Sequence, residues 1–273
     1  MRRKIFSCVM SIFNRIDLFD EFENTVKSVF ENSITPDRFH IVVDGPISDK
    51  FKKKIFNVKK KYKLIKIHWL KYNVGEAKAL NKIIPLIKSE WIVKVDGDDL
   101  NLKNRFSEQL KYMKKNYDLI GSNILEEDKV NNQFYKKKLP NSFERIKKFA
   151  KYRNPINHMT VAFRKKNFMK VGGYPDICLR EDYALWALFI KNNFRIININ
   201  KYLVIARVNH KFHIRRGSGK YIQSEFQLQK HLVSCGINNF LYASIIFILR
   251  SCCFTLSPKI RAIIYKLMLR TNV

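Results

Sequence analysis

The sequence predicts an α/β protein whose mainly parallel central sheet is covered by helices on both faces. Three observations carry this. Short β-rich runs and helical patterns alternate strictly through the first half of the chain, the sequence habit of βαβ units. No internal repeat or low-complexity linker interrupts them. Of the 273 residues, 46% are hydrophobic, enough to fill one large core.

Taken in order, Phe6 to Ile12 reads as a buried strand and Leu18 to Glu31 as an amphipathic helix. "FHIVVD" (residues 39–44) is the second strand, followed by a very basic helix, "DKFKKKIFNVKKKYK". "LIKIHWL" (64–70) is the third, then a helix from Glu76 to Lys88 and a fourth strand from Trp91 to Val95. A helix over Leu102 to Asn116 and the strand "DLIGSNIL" complete the set. In open α/β sheets, ligands bind beyond the carboxyl ends of the strands. Asn14, Asp44 and Asp96 follow or close three such ends, and "KYNVGEAKALN" turns from loop into helix after another.

Charge is the strongest compositional signal. Against 53 Lys+Arg stand only 23 Asp+Glu, a formal net charge of +30. Such a surface associates with polyanions: nucleic acid, an anionic leaflet or phosphorylated substrates. Against that background "VDGDD" gathers Asp96, Asp98 and Asp99 at a strand end. An Asp-x-Asp pair projects two carboxylates toward one point, and Gly97 is expected to permit the tight turn. Hard oxygen ligands select Mg²⁺ or Mn²⁺, which keep open positions for phosphates. The alternative is that Asp98 and Asp99 merely cap a helix expected to begin near Leu102. A second acidic pair, Glu181-Asp182, opens a helix after the irregular "GGYPDICLR". It fits both a simple helix-dipole partner and a reactive group beside a loop.

Taken together, "VMSIFN", "VVDGP", "NVGEAKALN", "VDGDDLNLKNRFSEQ", "NPINHMTVAFRK", "GGY", "EDYALW" and "RRGSGKY" resemble, in order, the inverting family 2 glycosyltransferases with the GT-A fold. The resemblance is to the bacterial exopolysaccharide and lipopolysaccharide branch that includes amylovoran-biosynthesis-type enzymes. It implies a Rossmann-like GT-A domain over residues 1–222 and a C-terminal basic amphipathic helical extension over 223–273. It implies transfer of a hexose or N-acetylhexosamine from a nucleotide-sugar donor, a UDP-sugar, to a hydroxyl of a growing glycan or lipid-linked oligosaccharide acceptor, with Mn²⁺ or Mg²⁺. By the same resemblance Asp44 would meet the base, Asn73 and Lys78 the nucleotide or its phosphates, and Asp96 the ribose and the ion. Asp98 would be the direct metal ligand, Asp182 the base that deprotonates the acceptor, and Glu181 a shaper of the sugar pocket. Arg215 and Arg216 would close over the diphosphate. Where the family usually has paired Asp at the second strand end, Val43 takes the first place, leaving Asp44 alone.

Several residues stay open between readings. His158 is either a sugar or acceptor contact or a structural hydrogen-bonder. His210 and His213 are left out of the metal set. Arg105 is a phosphate contact or one half of a salt bridge, and Trp186 belongs to a core-facing stripe. Cys8, Cys178, Cys235, Cys252 and Cys253 have no CxxC spacing and read as reduced cytosolic thiols. The basic, apolar start lacks a small-x-small cleavage site and reads as a strand lead-in. In the tail, Phe240 to Leu249 is apolar but Arg250 ends the run, too short for the roughly 17 residues a bilayer needs. This tail, divided at Ser257-Pro258, either lies on an anionic membrane surface or packs on the catalytic domain. The expected location is cytoplasmic, peripheral on the inner face of the membrane.

Three other classes fit the sequence less well. A sugar-phosphate nucleotidyltransferase wants a glycine-rich loop after the first strand, where this chain has "SIFNRID". A non-catalytic nucleic-acid binder fits the charge but lacks a recognised fold or an aromatic–basic platform, so no nucleic acid is expected. A two-metal nuclease needs further carboxylates at comparable strand ends, and none is present.

Overall fold

The computed structural model describes residues 5–129, 131, 133–208, 219–257, 260–261 and 271–272. The first half follows the expected alternation: β1 (Phe6–Ile12), α1 (Ile16–Phe30), β2 (Phe39–Asp44), α2 (Asp49–Lys61), β3 (Ile65–Leu70), α3 (Glu76–Ile83) and β4 (Trp91–Lys94). These strands are parallel, in the spatial order β4-β1-β2-β3. After β5 (Leu100–Asn101) and α4 (Arg105–Met113) come β6 (Leu119–Asp128), β7 (Gln133–Lys137), α5 (Phe143–Phe149), β8 (Ala162–Arg164) and α6 (Lys165–Lys170). The described chain ends with α7 (Glu181–Lys191), β9 (Ile196–Val208), α8 (Gly219–Ser234), α9 (Phe240–Thr255) and β10 (Thr271–Asn272).

The sheet is thus mainly parallel through its N-terminal half and again where β6 pairs β9. The short β8 runs antiparallel between β4 and β6, and β7 extends the sheet as an antiparallel neighbour of β6. Alternate side chains of the parallel strands feed two cores, as required when helices cover both faces. Cys8, Met10, Ile12, Ile41 and Val43 pack with Phe22, Phe51 and Phe106 from α1, α2 and α4. Val9, Val42 and Ile92 pack on the other face with Leu80, Phe168, Trp186, Leu228 and Leu232 from α3, α6, α7 and α8.

Some boundaries differ from the sequence reading for local reasons. The helix expected to run to Lys88 ends at Ile83, and a single 3-10 turn, Ile84–Leu86, follows. Pro85 within it has no N–H to donate to an α-helical ladder. The helix expected from Leu102 to Asn116 is shorter because Leu100–Asn101 pairs with β9 and Asn116 takes φ +59°. The expected division at 222/223 falls inside α8, which packs on α7 through Leu228 and Leu232.

The tail combines both packing and exposure. Glu225 of α8, fully buried, receives Arg250 of α9 through two contacts of 2.8 Å and Arg180 at 3.1 Å. Phe240, Leu241, Ile245, Ile248 and Leu249 of α9 remain exposed. Among the described residues no helix is long and apolar enough to cross a membrane.

Candidate active site

Parallel pairing brings the carboxyl ends of β1 to β4 to one edge. The loop after β2 approaches the loop after β3 through Gly45, where φ is +89° and an added Cβ would fall 2.5 Å from the Asn73 backbone nitrogen. Both oxygens of buried Asp44 are engaged there, accepting from Val74 N–H and Gly75 N–H at 2.9 Å each. Asn73 Nδ2 donates to the Asp44 carbonyl at 3.1 Å. Asp44 therefore shapes the turn into α3. Lys78, on the first turns of α3, is exposed and paired with Asp176 at 2.8 Å, a contact weak enough to be exchanged for a stronger anion.

The acidic loop after β4 is tied from below. Gly97 has φ outside the left-handed region, and an added Cβ would lie 2.9 Å from Leu18 Cδ2 and 3.1 Å from Ile12 Cγ2, so those side-chain ends would have to shift. Thr25 Oγ1 donates to the carbonyls of Gly97 and Asp99. Arg105 is neither a phosphate contact nor an exposed salt bridge. It is buried, donating through Nη2 to the Lys94 carbonyl at 2.7 Å and through Nη1 to Asn101 Oδ1. Asp99 is buried too and accepts from the Arg207 N–H at 3.1 Å. Burial and the neighbouring Asp98 and Asp96 raise its carboxyl well above the ordinary range.

Asp96 and Asp98 both reach the surface, and each already meets a cation. Arg15, in the loop after β1, donates through Nη2 to Asp98 Oδ2 at 2.5 Å. Lys94 holds Asp96 Oδ1 and Glu76 Oε1, the latter at 2.6 Å. Burial pushes the Asp96 carboxyl up, but the Lys94 ammonium outweighs it and leaves the group below the usual carboxylate range. Lys94 itself is 1% exposed. Despite burial, its two carboxylate partners hold its pKa above the ordinary lysine value. No sequence argument singled out Lys94 or Glu76, although a lysine inside an otherwise apolar strand was a visible anomaly.

Asp96, Glu76 and His158 present ligand atoms within 4.8 Å of one another. His158 arrives because β8 pairs antiparallel with β4, setting the 3-10 turn His158–Thr160 beside the strand end. Its Nε2 lies 2.8 Å from the Tyr174 hydroxyl. Burial, then the charges of Glu76, Asp182, Asp96 and Glu181, raise the Tyr174 pKa well above its ordinary value. These four carboxylates, from three separate segments, therefore share one neighbourhood around Tyr174.

Glu181 and Asp182 form the first turn of α7, entered through Leu179 at φ +64°, a strained conformation for a branched side chain. Asp182 accepts from Asn154 Nδ2 and from the Tyr183 N–H, each at 2.7 Å. Burial, followed by Asp182 and Glu76, pushes the Glu181 carboxyl up to about 7. Its Oε2 is buried without a partner. Arg180 turns toward Glu225 of α8, so the C-terminal helices brace this helix start. Arg215, Arg216, His210 and His213 lie outside the described residues.

The oxygen donors of Asp96 and Asp98 suit a hard divalent cation. The Glu76–Asp96–His158 trio suits one less well, because the Lys94 ammonium already contacts two of its members and would repel the ion.

The chain has similarities to known proteins along nearly its whole length. A family model described as glycosyl transferase family 2 matches residues 7–172. A UDP-Gal:alpha-D-GlcNAc-diphosphoundecaprenol beta-1,3-galactosyltransferase of Escherichia coli is 34% identical over 97% of this chain and 96% of its own. The amylovoran biosynthesis glycosyltransferase AmsE of Erwinia amylovora is 27% identical, over 96% and 98%. Among solved structures, S. aureus TarS residues 1–349 in complex with UDP-GlcNAc superposes with TM-score 0.66 at 15% identity, covering 97% of this chain and 76% of that one. The mannosyltransferase PcManGT from Pyrobaculum calidifontis, in complex with GDP-Man and Mn²⁺, gives 0.64 at 13%, over 98% and 76%. The fold is the GT-A fold, and with the family model spanning more than half its length, the chain belongs to the family 2 glycosyltransferases.

Proposed function

We propose that the protein transfers a hexose or N-acetylhexosamine, with inversion, from a UDP-sugar to a hydroxyl of a lipid-linked or polymeric surface glycan. The observation that carries this is the cluster in which ligand atoms of Asp96, Glu76 and His158 lie within 4.8 Å of one another, with Tyr174 2.8 Å from His158 and feeling the charges of Asp182 and Glu181 at the start of α7. In this reading the acidic loop is the diphosphate side and α7 supplies a separate carboxylate. The relative named for UDP-Gal and a diphosphoundecaprenol acceptor supports the donor and acceptor classes.

In this reading the nucleotide base and ribose lie against the Asp44–Asn73 turn and Asp96. Lys78 exchanges Asp176 for phosphate, and Arg215 and Arg216 would cover the diphosphate. Asp182 takes the proton of the acceptor hydroxyl as that oxygen bonds to C1 and the C1–O bond to the diphosphate breaks, releasing UDP. Attack from the face opposite the departing group inverts C1. Asn154, holding one Asp182 oxygen, orients the other side of the carboxylate. Asp98 and Asp96 would hold Mn²⁺ or Mg²⁺, which supplies Lewis-acid neutralisation of the leaving diphosphate; Arg15 would then be freed from Asp98.

The test is a donor screen with purified protein, Mn²⁺ and a panel of nucleotide sugars, with and without a diphosphoprenol-linked acetylglucosamine acceptor, scoring UDP release. Release from at least one UDP-sugar that chelation abolishes is expected. No release from any donor would overturn the reading. For the membrane, the exposed apolar face of α9 on a chain of net charge +30 suits the interface of an anionic bilayer. Full-length protein should pellet with phosphatidylglycerol vesicles at low salt and not with phosphatidylcholine vesicles. No pelleting with either vesicle would remove the membrane from the account, and equal pelleting with both would remove its anionic charge.

A further inference from the structure

Between the acidic loop and the start of α7 lie polar side chains that the proposed chemistry leaves without a task. Lys94 is the most demanding of them. An ammonium buried at 1% exposure is costly unless matched, and it is matched by Glu76, Asp96 and the Val95 carbonyl at 3.2 Å. Lys94 is also the rigid member of the set. Its N–H donates to the Val161 carbonyl at 2.9 Å and its carbonyl accepts from Arg105 at 2.7 Å. It therefore fixes where the Glu76 carboxylate sits, while the first turn of α3 favours a negative charge at that point.

Among the described residues only one Glu76 oxygen is used. Oε1 takes the Lys94 ammonium, no contact among the described residues holds Oε2, and the side chain is 38% exposed. Beside it stand Asp96 and His158, with Tyr174 behind the His158 ring. A second cation is disfavoured here by Lys94. An uncharged ring bearing several hydroxyls is what this set suits: carboxylate oxygens accept from hydroxyls, and an imidazole can donate or accept.

We infer that Glu76, held in place by Lys94, is a specificity-determining residue that accepts hydrogen bonds from hydroxyls of the donor hexose, with His158 as its neighbour on the ring. The inference rests on the UDP-sugar reading given above. A site that hydrogen-bonds a hydroxyl discriminates strongly, because its polar groups are left unpaired by the wrong ligand. Were Glu76 present only to neutralise Lys94, its replacement would affect stability and leave sugar recognition alone.

The experiment is calorimetric titration of full-length wild type, Glu76→Gln and Glu76→Asp with UDP and with UDP-galactose, UDP-glucose and UDP-GlcNAc, in Mn²⁺. For the sugar nucleotide that wild type binds most tightly, Glu76→Gln is expected to lose about tenfold or more in affinity while UDP binding stays within about twofold. Glu76→Asp keeps the charge beside Lys94 but withdraws the carboxylate by one methylene. It should show the same selective loss with near-normal thermal stability, which keeps the test usable if the glutamine variant folds poorly. An unchanged ratio of sugar-nucleotide to UDP affinity in both variants overturns the inference. Wild-type protein that binds no uridine nucleotide overturns it together with the parent reading, a failure recognisable because it needs no variant.

Discussion

The two acidic sites of this protein are built by opposite means. Asp96 and Asp98 sit among cations: Lys94 on one, Arg15 on the other, and Arg105 locked beneath the loop. Among the described residues no cation is paired with Glu181 or Asp182; burial and neighbouring carboxylates dominate around Glu181, and Arg180 points away to Glu225. On the proposed function, the difference teaches how two acidic sites would serve two tasks. Asp96, proposed to lie on the diphosphate side, is held below its usual range by the Lys94 ammonium. Glu181, next to the proposed base Asp182, is instead left where a proton costs little to bind.

The largest way to break this contrast is to remove the buried cation. Lys94→Met should destabilise the fold by about 3–5 kcal/mol, since Asp96 and Glu76 would lose their charge partner; denaturant unfolding measures it. A loss under about 1 kcal/mol would mean that Lys94 is not what supports the acidic loop.

A smaller effect sharpens the other half of the comparison. The Glu181 carboxyl is raised from an ordinary 4.5 to about 7, so between those values the folded chain holds a proton that the unfolded chain has released. The stability this gives is full below pH 4.5 and lost as pH rises through 7. Glu181→Gln should therefore gain on wild type by roughly 1–3 kcal/mol between pH 5 and pH 8, read as the difference between their unfolding curves. Parallel curves across that range would show that Glu181 titrates normally.

How much of this was legible depended on the physics of each segment. The parallel half could be read because each strand there is a short apolar run with its helix next in sequence, a local pattern. β8 could not: Ala162–Arg164 is three residues long, and only its long-range pairing with β4 and β6 makes it a strand. His158 depends on that pairing, so its place beside Asp96 was invisible. Asp44, Asp96 and Asp182 stood out as polar residues at element ends. Arg105 did not reveal that it would be buried, because nothing local distinguishes a guanidinium facing phosphate from one facing a carbonyl. Gly97 was expected for its backbone freedom, whereas its φ is ordinary and what crowds it is Leu18 and Ile12, distant in sequence. The Glu76–Lys94 pair joins residues on separate elements and needed the fold to appear.

The central claim is that the two sites act on one sugar nucleotide, one gripping its diphosphate side and the other activating the acceptor. Asp182→Asn tests it most directly, assayed in parallel for UDP affinity and for transfer turnover with Mn²⁺. The account predicts UDP affinity within about twofold of wild type and turnover lower by ~10²-fold or more. Turnover that survives the substitution, or UDP affinity that falls in step with it, would contradict the account.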